Sequence, residues 1–178
     1  MKKNVIAVSA LALAIFSTGA FATEGTVNFE GEIIAQGCDI SSNTDEQTVK
    51  FGKIAKSAFP EAGSTAGAKE FSIVLTACPD TLKKASVLFE GTQSENDSTI
   101  LALSTEAVDG ISAATGVGIR IVESDSREAV TLHQNTSEYD IKNSSATLNF
   151  IASYIRLGDT EVVPGVANSV ANFTIAYN

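Results

Sequence analysis

The sequence predicts an all-β protein built as a sandwich of two antiparallel sheets. Three observations carry that expectation. Most apolar runs are short, rich in Val, Ile and Phe, and alternate with polar residues, which is the strand period. Polar or Gly-containing stretches such as 91–98, Asp109-Gly110 and 124–127 separate them. Many short strands within about 150 residues fit two packed sheets around one core, immunoglobulin-like in general plan.

The elements follow in chain order. Lys2 and Lys3, an apolar stretch from Val5 to Phe16 and the ending Ala20-Phe21-Ala22 have the layout of a secretory signal peptide, residues 1–22. The apolar stretch is shorter than the roughly 20 residues a membrane span needs. Cleavage after Ala22 leaves residues 23–178, 156 of the 178, which fits one domain. At the new N-terminus Gly25, Val27, Phe29, Gly31, Ile33 and Ala35 alternate with Thr26, Asn28, Glu30 and Glu32, and only Ile34 breaks the pattern. An extended strand there puts Val27, Phe29 and Ile33 on one face, with Gly31 between them where another backbone or side chain can come close. The alternative is an ordinary first strand of the chain's own domain.

Strand-like runs then occupy 48–54, 70–77, 85–89, 100–103, 117–122, 129–132, 147–155 and 172–177. The Ala-, Gly- and Ser-rich stretch 58–68, with Phe59-Pro60, reads as a surface loop or a short helical turn. In the last run Phe173, Ile175 and Tyr177 share a face with Ser169 and Ala171, opposite Asn168, Asn172, Thr174 and Asn178. A final strand with no following partner is left with an open edge.

Composition narrows the function. Removing Lys2 and Lys3 takes the formal charge from −9 to −11, which argues against nucleic acid and anionic membranes as partners. Cys38 and Cys78 are the only cysteines. Export to an oxidising compartment predicts a disulfide between them, with two free buried thiols as the alternative. A zinc site needs more ligands than two cysteines and the single histidine, His133, supply, and no metal or other cofactor is expected. His133 reads as a turn residue, since no base and orienter stand beside it. Gly116-Val117-Gly118 lacks the third glycine and the helix of a dinucleotide fingerprint. Glu123, Asp125 and Glu128 lack calcium-loop spacing and read as a solvated turn. The triplets at Asn96, Asn135, Asn143 and Asn172 read as polar surface.

Taken together, the signal peptide, TVNFEGEII ahead of Cys38, the later Cys78, and Gly165 followed by alternating apolar residues to Tyr177 resemble one family. That family is the pilins of the type 1 fimbrial kind, assembled by a periplasmic chaperone and an outer-membrane usher. The resemblance implies an incomplete immunoglobulin-like sandwich, residues 38–178, that lacks its final strand. A neighbour's N-terminal extension, residues 23–37, completes it as a donor strand. The donor residues implied are Val27, Phe29, Gly31 and Ile33. The acceptor groove and chaperone contact implied are Gly165, Phe173, Ile175 and Tyr177, although Tyr177 can also be read as a plain amphipathic strand end.

The function expected is a structural subunit of a fimbria on the cell surface, exported through the periplasm, contributing to adhesion and joined to identical or related pilins. Both shaft and adaptor roles stay open. A carbohydrate-binding adhesin or lectin is the alternative, but it lacks support: Trp is absent, and Tyr139, Tyr154 and Tyr177 are the only tyrosines. No enzyme is expected, since G-x-S-x-G is missing and His133 has no recognisable partner.

Overall fold

The computed structural model describes residues 25–178. The expected signal segment, 1–22, lies outside the described residues, as do Thr23 and Glu24 of the expected donor segment. Among the described residues, 25–33 and 34–178 belong to two separate units. In the first, residues 25–33 carry no helix or strand. Val27, Phe29 and Ile33 there are 73, 92 and 100 % exposed, so three large apolar side chains lie mostly or wholly in water.

The second unit is the sandwich. Its strands are β1 (Asp39–Ile40), β2 (Thr65–Thr76), β3 (Lys84–Glu90), β4 (Gln93–Ser94), β5 (Asp97–Leu101), β6 (Val117–Glu123), β7 (Tyr139–Asp140), β8 (Ala146–Arg156) and β9 (Asn172–Tyr177). One sheet has the order β1-β2-β8-β6-β5-β4 and the other β7-β3-β9, and every strand pair is antiparallel. The alternation that marks β8 in the sequence is seen directly: Ala146, Leu148 and Phe150 are buried while Thr147 and Asn149 are exposed. The largest fully buried side chains, Phe150, Ile73, Leu75, Leu148, Ile155 and Val87, come from both sheets. Each contributes roughly 1.5–3 kcal/mol by leaving water. Phe150 stacks on Phe71 at 5.5 Å and meets Phe89 of the facing sheet edge-on at 5.1 Å.

Three expectations are corrected. Residues 48–54 form no strand, although Val49, Phe51 and Ile54 pack against the core. Residues 129–132 make only one isolated bridge, Ala129 to Val122, while Val130 and Leu132 are buried. In both stretches apolar side chains satisfy the core without a continuous ladder. The stretch 58–68 contains the start of β2 at Thr65, preceded by a single 3-10 turn over Lys56–Ala58. A register shift between Ala66 and Lys69, with Gly67 at φ +73°, hides that start from a period-2 reading. The other end of β2 stops at Thr76, because Ala77 takes φ +50° and leaves the extended region.

Candidate functional site

The candidate site is the free edge of β9. Along this strand Asn172 and Thr174 are exposed, while Phe173, Ile175 and Tyr177 turn toward the core and are half-buried. On one side β9 pairs with β3 from Asn172↔Glu90 to Tyr177↔Ala85. Among the described residues it has no second neighbour, whereas β2, β6 and β8 are paired on both sides. Its outer row of N–H and C=O groups is therefore open to another strand.

Apolar side chains stand behind that edge. Phe173 lies 6.4 Å from Phe89, which itself meets Phe150, so Phe173 is the partly exposed end of an aromatic series running through the core. An unpaired ladder beside alternating apolar side chains is suited to an extended peptide: the backbone gives affinity and the side chains set register.

The cysteines predicted to pair do so, Cys38 with Cys78, and there is no free cysteine among the described residues. β1 is only two residues long, with Asp39 opposite Thr76 and Ile40 opposite Leu75. The bridge therefore fastens the beginning of the sandwich to the end of β2. Tyr177 reaches the same place, where its hydroxyl accepts the Cys38 N–H at 3.0 Å. No local pattern in the sequence signals this contact.

Gly165 is not on β9 but in the segment leading to it, next to the bridge from Val166 to Ala113. A Cβ at Gly165 would lie 2.5 Å from the Ala114 nitrogen and 2.6 Å from the Ala113 carbonyl carbon, so glycine here permits close backbone approach. It also borders a cavity of about 350 Å³ lined by Ile54, Phe59, Val117, Tyr154, Val162 and Val166 among others. Tyr154 packs on Phe51 with ring centroids 4.4 Å apart and donates its hydroxyl to the Ala167 carbonyl at 2.6 Å. Burial holds that phenol above its ordinary pKa. Sequence reasoning missed this cavity because its walls come from four separate loops and strands.

The last residue is held by polar contacts. Asn178 Nδ2 donates to Glu138 Oε1 at 2.5 Å, and Lys84 Nζ reaches Glu138 Oε2 at 2.7 Å. The hydrogen bond from Lys84, then that from Asn178, lowers the Glu138 carboxyl below its usual range.

The remaining polar residues tie loops together. His133, at φ +63°, places Nε2 3.2 Å from the Gly91 carbonyl oxygen, in keeping with a turn residue. Glu123 is not on a solvated turn, as the sequence had suggested. It is 6 % exposed and accepts hydrogen bonds from the Ser137 N–H at 2.7 Å and the Ser126 hydroxyl at 3.1 Å. Both donors compensate its desolvation.

Comparison with known proteins gives the family. A family model described as "Fimbrial protein" matches residues 27–178. The probable major fimbrial subunit LpfA of Escherichia coli O157:H7 is 38 % identical over 99 % of this chain and 97 % of its own length. The long polar fimbria protein A of Salmonella typhimurium is 35 % identical with the same coverage of both chains. The crystal structure of the P pilus rod subunit PapA superposes with a TM-score of 0.67 at 21 % identity, covering 80 % of this chain and all of PapA. That superposition shows a shared incomplete immunoglobulin-like fold. With full-length matches of this kind, the chain belongs to the fimbrial protein family: it is a structural, non-enzymatic subunit that is exported and polymerises with other pilin subunits into a surface fibre.

Proposed function

We propose that the fibre grows by strand addition at β9, each subunit giving residues 23–37 to its neighbour. The observation that carries this reading is the pairing of two deficits. β9 has one open edge with Phe173, Ile175 and Tyr177 half-buried behind it. Val27, Phe29 and Ile33 are large apolar side chains left in water. Each deficit has the period-2 spacing the other needs. Gly31, around which there is open space, is the position where the inserted strand meets the closest approach.

Before assembly the same edge requires cover, since an unpaired apolar strand is an aggregation hazard. A periplasmic chaperone lends that cover, contacting the edge through Phe173, Ile175 and Tyr177, and an outer-membrane usher brings donor and acceptor together. Gly165 contributes by letting the segment before β9 lie flat against residues 112–114. The long acceptor domain, 38–178, and the short donor, 23–37, are then separate functional parts of one chain.

The test uses a subunit lacking residues 23–34, purified with its chaperone, and a synthetic peptide of residues 23–36. The peptide should displace the chaperone and remain bound to the truncated subunit, which cannot polymerise by itself. A truncated subunit that still polymerises, with a peptide that never displaces the chaperone, would refute strand addition.

A further inference from the structure

Tyr177 touches two parts of the molecule that strand addition uses separately. It is the last residue of the acceptor strand β9, opposite Ala85. Its hydroxyl also accepts the Cys38 N–H, 139 residues earlier in the chain. The ring lies directly over Gly37: a Cβ at that position would be 3.0 Å from both Cε2 and Oη and 3.2 Å from Cζ. Gly37 does not take a positive φ, so space and not backbone conformation calls for glycine there. Cys38 is bonded to Cys78, which is 3 % exposed and lies two residues past the end of β2.

We propose that Tyr177 is a positioning residue that clasps Gly37 and Cys38, fixing the point from which the N-terminal segment leaves the sandwich and joining it to the acceptor edge. The partner concerned is a second copy of this chain on either side, and the inference rests on the strand-addition reading. The disulfide fastens Cys38 by its side chain, which leaves the backbone at Gly37 free to swivel. The tyrosine removes that freedom by taking the Cys38 N–H and covering the residue before it. One side chain then borders the strand received from one neighbour and the root of the strand given to the other. A bend at one junction is resisted at the next, and the fibre is stiffer than its single-chain connections suggest.

The experiment compares wild type, Tyr177→Phe and Gly37→Ala. Each subunit is isolated as the complex with the 23–36 peptide, identified by native mass spectrometry, and amide exchange is measured at Cys38. Fibres of the same three proteins are imaged by electron microscopy and their bend-angle distributions compared. Loss of the hydroxyl should speed Cys38 exchange about fivefold to tenfold, the effect of one modest hydrogen bond, and broaden the bend angles. Gly37→Ala should do both by pushing the ring aside while keeping the hydroxyl. Wild-type protection at Cys38 in both variants overturns the clasp. So does faster exchange with unchanged bend angles, because a merely local contact would give that result. A peptide that enters none of the three subunits would instead refute strand addition itself.

Discussion

Replacing both cysteines, Cys38→Ala with Cys78→Ala, should destabilise the subunit by about 4 kcal/mol. The figure follows from the closed loop: the cysteines are 40 residues apart, and loop-entropy loss in the unfolded chain is worth about that much at such a length. Alanine avoids placing a hydroxyl where Cys78 is 3 % exposed. Small domains hold only about 5–15 kcal/mol in all, so the loss takes a large share. The folded state offers little compensation, because β1 has only two residues paired with β2. The assay is urea unfolding of residues 23–178 with a fixed excess of the 23–36 peptide, since any bound strand shifts stability by mass action. With a slope of about 2 kcal/mol per molar, the midpoint should fall by about 2 M. A fall below about 0.5 M at unchanged slope would mean that the bridge constrains the unfolded chain far less than its span implies, and the reasoning would be wrong.

Other outcomes follow from the same structure. Phe29→Ala in the donor peptide should weaken insertion by about 2–3 kcal/mol, roughly 30- to 150-fold, measured by competition for chaperone-bound subunit. Gly165→Ala should cost about 1–3 kcal/mol, because the new methyl group meets the backbone of residues 112–114; thermal unfolding measures it. The Tyr139 phenol is pushed from 10 up to about 12, first by burial and then by the charges of Glu123 and Asp125. A raised pKa means that the unfolded chain loses the proton first. The Tyr139 contribution to stability should therefore be intact below about pH 10, fall as pH rises, and level off above about 12, and Tyr139→Phe should reduce the slope in a pH series of urea midpoints, Tyr154, also raised by burial, keeping part of it.

The regions legible in the sequence were those where side-chain period and ladder coincide. The run 172–177 has the bounds of β9, and 85–89 and 147–155 fall one residue inside each end of β3 and β8. In these strands one face meets the core, so alternation and pairing carry the same information. They separate at 48–54, where Phe51 packs on Tyr154 without any strand partner. Alternation records which side chains are buried and says nothing about what the backbone bonds to. β4 and β7, two residues each, are too short to show any period. At the open edge the alternation of Phe173, Ile175 and Tyr177 marked a strand with one apolar face, whereas the absence of a second neighbour among the described residues is a fact of the sheet order. The Tyr177 contact with Gly37 was not legible, since it joins the two ends of the chain through a fold that no local pattern encodes.

The exposed segment 25–33 and the open edge of β9 are different surfaces on the same molecule. A contact between them is heterologous: two copies that meet this way still present one unused surface of each kind. On the strand-addition reading, a rotation between successive copies that does not close a ring gives a filament with two unlike ends, and nothing in the contact itself counts subunits. Growth from one end requires only that new copies arrive with the same surface foremost. Ending it requires a subunit that lacks one of the two surfaces, or one whose own fold already fills its β9 edge.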